Sequence, residues 1–221
     1  TKPYEISTYA KLKHEVSDLF IIEPGIRLNY YDVYRNSLNP DLRLGIKYLL
    51  TEDRYLNLSF GNYHQFISTF QDDFNPSILD NWIAADESVE PGKSIQAVLG
   101  YEEYINNMYK IQIEGYYKDL KNLLTFEEKR SSTDAAVSDS TLSDILTPAD
   151  GYAYGIEFFG QKMAGNLSGW VSYTFSVSRK IMNSIFEEEE NEYYTNWDRT
   201  HAFSALGSYQ FNKKWEMNWR Y

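Results

Sequence analysis

Apolar and polar residues alternate one by one along much of this 221-residue chain. Residues 109–118 show the pattern clearly, because odd positions read Tyr, Ile, Ile, Gly, Tyr and even positions read Lys, Gln, Glu, Tyr, Lys. A period of two predicts a β-strand with one apolar face. Ten segments show it, at residues 4–16, 20–32, 41–50, 55–69, 93–104, 108–127, 152–163, 167–180, 200–211 and 215–221. The pattern therefore predicts an all-β, antiparallel, up-and-down protein.

The connections between these strands alternate between short and long. Tight turns rich in Asn, Gly and Asp are predicted near residues 16–19, 51–54, 105–107, 164–166 and 212–214. Long polar loops are predicted at residues 33–40, 70–92, 128–151 and 181–199. In a meander this order places all tight turns at one rim and all long loops at the other, which is typical of outer-membrane barrels. Within the second long loop, residues 76–84 are predicted to form one or two helical turns.

Strand length and tyrosine placement bear on what the apolar face contacts. From Tyr109 to Tyr117 the strand rises ~20 Å at a barrel-like tilt, close to the apolar band of ~25 Å between two aromatic girdles. A tyrosine at each end of the strand is typical of residues at the level of the lipid headgroups, because the ring is apolar and the hydroxyl stays hydrated. A soluble sandwich, jelly roll or propeller remains the alternative, with the apolar face as its core. Pro24 lies inside the second strand and predicts a bulge or a later strand start.

Composition narrows the function classes. The chain has no cysteine, which excludes disulfides and thiolate chemistry, and its net charge of −11 opposes nucleic-acid binding. No apolar run is long enough for a transmembrane helix, although barrel strands escape that test. The three histidines lack metal-ligand spacing, and no nucleotide or hydrolase motif occurs, so we predict no metal, cofactor or catalytic residue. Asp198 and His201 suggest an acid–base pair, as in ten-stranded outer-membrane proteases, but a structural contact at the rim is the favoured interpretation.

Two sets of residues are candidates for binding. If the apolar face meets lipid, the polar face lines an interior and contacts a solute or plug through Arg27, Arg43, Lys47, Lys110, Gln112, Glu114, Lys118, Glu157 and Arg220. Their mixed charge predicts a hydrated wall. The candidates in the external loops are Asp72, Asp73, Glu187, Glu188, Glu189, Glu190 and Asp198. Most acidic runs of this kind are simply solvated.

Several motifs, in order along the chain, resemble those of TonB-dependent outer-membrane receptors. The segments are PGIR at 24–27, NPDLRL at 39–44, EPGKSIQAVLGYE at 90–102, YYKDLKNLL at 116–124, GYAYGIE at 151–157, GWVSYTFS at 169–176 and NWDRTH at 196–201. The resemblance is closest to the carboxypeptidase-like, Bacteroidetes-type subgroup.

This resemblance implies a 22-stranded barrel around an N-terminal plug, in the outer membrane of the Gram-negative cell envelope. About ten strands in residues 1–221 amount to part of such a barrel, so we expect the plug and the final strands to lie outside this chain. The implied function is energy-coupled uptake of a scarce solute, such as a metal chelate, cofactor or glycan, without enzyme activity. The implied partners are outer-membrane lipid, the receptor's own plug, TonB through that plug, and an unknown small solute. A self-closed outer-membrane protease and a soluble β-sandwich binding module are the alternatives.

Overall fold

The computed structural model describes residues 3–34, 37–70, 81–87, 89–126, 146–183, 190–195 and 198–221. These residues form fourteen strands and no helix, so none of them offers a helix able to cross a membrane. The strands are β1 (Glu5–Lys11), β2 (His14–Ser17), β3 (Phe20–Tyr31), β4 (Leu38–Thr51), β5 (Arg54–Gln65), β6 (Ile67–Phe70), β7 (Asn81–Ala84), β8 (Gly92–Ile105), β9 (Tyr109–Phe126), β10 (Leu146–Lys162), β11 (Leu167–Asn183), β12 (Glu190–Tyr194), β13 (His201–Gln210) and β14 (Glu216–Arg220).

Twelve of these strands form one antiparallel sheet, in the order β1-β3-β4-β5-β8-β9-β10-β11-β13-β14. Strand β2 also pairs with β3, and β12 also pairs with β11, while β6 and β7 form a separate hairpin. All ten predicted strands are therefore confirmed, and they follow one another as an up-and-down meander. Within the described residues the sheet does not close, because β1 and β14 each have one neighbour only.

Pro24 explains why the first predicted strand is divided into β1 and β2. The β1–β3 pairing ends at Lys11 opposite Gly25, and the β2–β3 pairing starts at His14 opposite Ile22. Leu12 lies opposite Pro24 and donates its N–H to the Pro24 carbonyl oxygen at 3.0 Å. Proline has no N–H to return the second bond of this pair. The bulge or late start predicted for the second strand is therefore wrong, because β3 is continuous from Phe20 to Tyr31 and the irregularity falls on its partner.

The tight turns have the backbone that their residues favour. Asn106 and Asn107, between β8 and β9, have φ angles of 51° and 52°. Positive φ at both central residues is the type I′ turn, which matches the twist of a hairpin and favours Asn and Gly. Gly165 has a φ of 95° in the turn between β10 and β11. These turns lie at one rim of the sheet, as the alternation of short and long connections predicts.

The strands extend further into the predicted long loops than the alternation indicates. Strand β10 begins at Leu146, paired with Phe126 at the end of β9, whereas residues 128–151 were expected to be loop. Strand β12 lies within the loop predicted at 181–199 and pairs with the end of β11. The helical turns predicted at 76–84 are wrong for residues 81–84, which form β7, and the rest of that segment lies outside the described residues. Backbone pairing between neighbouring strands decided these boundaries, and the local residue pattern does not report that pairing.

Burial shows that the sheet has no second layer over its apolar face in the part of the chain described. Large apolar side chains there are open, with Ile113 43% exposed, Leu99 59% and Ile156 58%. The buried apolar cluster is small and lies at the long-loop rim, where Tyr31, Phe66 and Ala85 pack together. A contiguous exposed apolar surface that extends over many strands marks an interaction with a membrane or with another protein. A soluble sandwich would bury this same face between two sheets.

Candidate functional site: the polar face of the sheet

All nine residues predicted to line an interior lie on one face of the sheet, which we call the polar face. Directly opposed residues of antiparallel strands point to the same side, so the register identifies the face. A transverse row runs from β9 to β14 through Lys110, Gln161, Trp170, Leu206 and Arg220. Gln112 lies two residues from Lys110 on the same strand and so shares its side.

Two further rows connect the remaining predicted residues. One row runs from β4 to β10 through Lys47, Asn57, Gly100, Glu114 and Glu157. Another row runs from β4 to β9 through Arg43, Gly61, Gln96 and Lys118. Arg27 lies directly opposite Asp41, and Gly25, two residues earlier on β3, lies opposite Arg43. The strands thus bring residues up to 193 positions apart in sequence onto one surface.

Four of the cations on this face lie over tyrosine rings. The distances from the cation to the ring centre are 4.0 Å for Lys47 and Tyr55, 4.9 Å for Arg43 and Tyr63, 5.1 Å for Lys118 and Tyr116, and 5.6 Å for Lys110 and Tyr104. Tyr55 and Tyr104 also meet edge to face, with ring centres 6.3 Å apart. Cation–π contacts of this kind hold each charge close to the wall, and Lys110 is in addition 3.2 Å from the Glu102 carboxylate.

The acidic residues of the face lie between these cations. Glu114 is directly opposite Glu157, and neither carboxylate forms an ion pair within the described residues. Gln112 Nε2 donates to Glu114 Oε1 at 2.7 Å. Like charges placed directly opposite each other destabilise a sheet unless water or a partner screens them. The pair therefore fits a hydrated surface and does not fit a dry core.

A buried polar network joins four strands where the polar face reaches the long-loop rim. Asp41 is at its centre, with Oδ2 accepting a bond from Asn29 Nδ2 at 2.9 Å and Oδ1 lying 2.7 Å from His64 Nδ1. Ser7 on β1 donates to Asn29 Oδ1 at 2.9 Å, and Arg27 Nη2 donates to Ser7 Oγ at 2.9 Å. Asn29 and Asp41 are almost fully buried. Buried polar groups are stabilising only when paired in this way, so the network fixes the local geometry.

The same region anchors the β6–β7 hairpin. The backbone pairing of β4 with β5 ends at Gly61, on the side of the long-loop rim. Beyond it the Asn62 side chain bonds to β4 in place of the backbone, accepting from Leu42 N at 2.8 Å and donating to Pro40 O at 3.0 Å. The Phe66 ring then stacks on Tyr31 with ring centres 4.8 Å apart. Tyr31 is fully buried, and burial raises the pKa of its hydroxyl. The hairpin is therefore held against the rim by aromatic packing.

Few of the external-loop candidates can be placed. Asp72, Asp73, Glu187, Glu188 and Glu189 lie outside the described residues, and Glu190 is the first residue of β12. Asp198 accepts from Ser178 N at 2.6 Å and from Thr200 Oγ1 at 3.2 Å.

His201 bonds instead to the Tyr173 hydroxyl, with its Nδ1 2.8 Å away. Since Asp198 and His201 bond elsewhere, they form no acid–base pair, and the structural interpretation of Asp198 is the better one.

Sequence reasoning missed the tyrosines of the polar face and the residues around Asp41. Tyr116 follows the pattern as an even-numbered position on β9, so its face was readable, but its contact with Lys118 was not. Asp41 and His64 are 23 residues apart on different strands, and no local pattern links them. The sequence offered one signal of the network around Asp41: the polar residues Asn39 and Asp41 flank a proline at alternating positions of one strand.

A family model described as TonB dependent receptor-like, beta-barrel, matches residues 2–221. No curated protein matches the chain. Among solved structures, the ferripyoverdine receptor of the outer membrane of Pseudomonas aeruginosa is similar, with a TM-score of 0.69 and 14% identity over 96% of this chain and 26% of that one. The siderophore receptor PirA from Acinetobacter baumannii gives 0.66 and 11% over 99% and 33%. The alcaligin outer membrane receptor FauA from Bordetella pertussis gives 0.65 and 14% over 99% and 37%.

These likenesses confirm the fold, and the chain spans between about a quarter and two fifths of the length of these structures. The family is one of outer-membrane receptors, so the protease and soluble-sandwich alternatives are wrong, while the subgroup stays a prediction. With one sheet, tight turns at one rim, and an apolar face left open by the described residues, the chain belongs to the TonB-dependent receptor family and forms part of its outer-membrane β-barrel.

Proposed function

We propose that this chain forms part of the wall of an energy-coupled outer-membrane receptor that imports a scarce solute. The apolar face meets lipid, and the polar face lines the interior. The observation that carries the proposal is that all nine predicted polar residues share one side of the sheet, whereas the opposite side exposes Ile113, Leu99 and Ile156 with no layer of the described residues over them. Closure with further strands removes the two unpaired edges at β1 and β14, which a membrane does not tolerate.

A metal chelate is the first solute to test. The similar structures include siderophore receptors, and a chelate presents oxygen-rich, charged groups to a wall of alternating cations and acids. Cofactors and glycans are the other classes that a hydrated wall with tyrosines can accommodate. The plug inside the barrel, and TonB through the plug, are the proposed partners.

The facing of the two surfaces is tested by single cysteines in the whole receptor, with any other cysteines replaced. The chain itself has none, which makes the background clean. Gln112→Cys and Ile113→Cys are neighbours on β9 that point to opposite sides. In receptor reconstituted without its plug, a charged, water-soluble maleimide is expected to label position 112 and to spare position 113. Equal labelling, or labelling of position 113 alone, contradicts the proposal.

The transport role is tested in cells that lack their own receptor for the chosen chelate. Uptake of the iron-loaded chelate is expected only when both the whole receptor and TonB are present. Glu114→Gln is expected to change the half-saturating concentration several-fold with an unchanged amount of receptor in the membrane, because it removes one of the two opposed carboxylates. Ser204→Ala, a small change on the polar face, is the matched control. Uptake that is independent of TonB overturns energy coupling.

A further inference from the structure

One transverse row of the apolar face has a gap at its centre. The row crosses five strands through Leu58, Leu99, Gly115, Ile156 and Phe175. Gly115 has no side chain, and a Cβ atom built there would find its nearest neighbour, the Gly155 carbonyl oxygen, only at 4.0 Å. Neighbouring strands are ~4.8 Å apart, so Leu99 and Ile156 stand two strand spacings apart across an open floor.

This gap continues as a groove toward the long-loop rim. Ala97, one row further along β8, is the next small residue, and beside it Tyr117 lies directly opposite Tyr154. The groove encloses about 450 Å³. None of the residues that line it carries a charge. We call this feature the Gly115 groove.

The walls of the groove favour hydrocarbon over water. Leu99 and Ile156 project from the sheet with more than half of their surface exposed, so they form raised apolar sides around the glycine. A water molecule needs two to four polar partners to remain bound. The lining offers it little beyond backbone already committed to the sheet, and only the tyrosine hydroxyls at the long-loop end are polar.

We infer that the Gly115 groove holds one acyl chain of a membrane lipid, with the polar end of that lipid toward Tyr117 and Tyr154. The inference rests on the proposed orientation, in which the apolar face meets the bilayer. Because lipid tails are as apolar as leucine, the preference comes from packing and not from dehydration. An acyl chain in the groove contacts protein on three sides, whereas an acyl chain that lies over a row without a gap contacts protein on one side only. Dispersion attraction grows with the number of close contacts. The occupied groove thus retains a lipid longer than the rest of the apolar face.

The test uses the whole receptor in vesicles of phosphatidylethanolamine and phosphatidylglycerol. A trace of phosphatidylcholine carrying a mid-chain diazirine is cross-linked by light, and the labelled peptides are identified by mass spectrometry. Trypsin separates residues 94–110 and 111–118, which hold Leu99 and Gly115 of the groove, from residues 200–213, which hold another part of the apolar face. Labelling is expected to be several-fold higher in the first two peptides than in the third.

Two substitutions decide whether the groove causes the enrichment. Gly115→Leu fills the open floor and is expected to reduce labelling of residues 94–118 to the level of the remaining face. Ala205→Leu adds the same bulk to β13 on the same face and is expected to leave the labelling unchanged. If Gly115→Leu fails to fold, as judged by heat-modifiable gel mobility, Leu99→Ala removes one wall of the groove and is expected to lower the labelling.

Each outcome has one meaning. Uniform labelling of the apolar face, or enrichment that survives Gly115→Leu, overturns the groove as a lipid site while leaving the orientation of the barrel intact. An apolar face that takes no label at all contradicts the proposed orientation itself.

Discussion

Replacing Ile113 with arginine tests the membrane-facing side of this sheet most directly. Ile113 lies on β9 midway between two tyrosines, four positions from Tyr109 and four from Tyr117. Its register partners on the apolar face are Tyr101 on β8 and Phe158 on β10. Its side chain is 43% exposed, and no protein layer among the described residues covers it.

The expected cost follows from this position. Four residues of strand at a barrel-like tilt rise ~10 Å, which places Ile113 near the middle of an apolar band ~25 Å tall. An arginine on the lipid face at the bilayer midplane costs about 2–4 kcal/mol. The folding equilibrium constant is therefore expected to fall roughly 30-fold to 700-fold. On a water-exposed surface the same change would cost less than about 0.5 kcal/mol.

The measurement is reversible unfolding of the whole receptor in lipid vesicles, followed by tryptophan fluorescence and by the heat-modifiable shift on gels. The control is Gln112→Arg, one residue away on the polar face, where Gln112 already contacts Glu114 at 2.7 Å. An arginine at position 112 meets a carboxylate and water, so we expect a cost below about 1 kcal/mol. If both variants are equally stable, or if position 112 is the sensitive one, the assignment of the faces is wrong.

Three further results are expected from the same unfolding assay. Asp41→Ala removes the central acceptor of the rim network and is expected to cost about 1–3 kcal/mol and to speed proteolysis of the long loops; unchanged values would refute its anchoring role. Gly169→Ala is expected to destabilise by more than about 1 kcal/mol, because φ is +151° and a Cβ would lie 2.2 Å from a backbone oxygen. Lys121 and Asp150 are half-exposed at 2.7 Å, so Asp150→Asn is expected to cost under about 1 kcal/mol. The hydrogen bond to Asp150 raises the pKa of Lys121, so the stability that this pair adds is complete below about pH 10.5 and is lost at higher pH. A cost of Asp150→Asn above about 1 kcal/mol near neutral pH contradicts this small contribution.

Strand β9 shows most clearly what the local residue pattern can and cannot predict. Its alternation fixes which side chains share a face, because the period of a strand is two whatever its neighbours are. The alternation does not reveal which residues of neighbouring strands are paired. The sequence therefore did not predict that Glu114 lies opposite Glu157, or that Gly115 lies between Leu99 and Ile156. Those features depend on how three strands align, and a shift of alignment would change every partner.

The long-loop rim was predicted least well. Strand β10 extends six residues before the predicted start, and β7 replaces a predicted helical turn. In these segments the residues are weakly patterned, and pairing with an existing strand decides their conformation. The network around Asp41 likewise depends on β4 and β5 parting above Gly61, which brings His64 within 2.7 Å of the carboxylate.

The amino-acid order alone determined the ten strands of the meander, their two-faced character and the rim on which the tight turns lie. These follow from alternation and from turn residues such as Asn106, which act over a few neighbouring positions. Tertiary structure decided the cation–tyrosine contacts, the buried Asp41 network and the Gly115 groove. Each of these joins residues from different strands, and only the hydrogen-bonded alignment of the sheet brings such residues together.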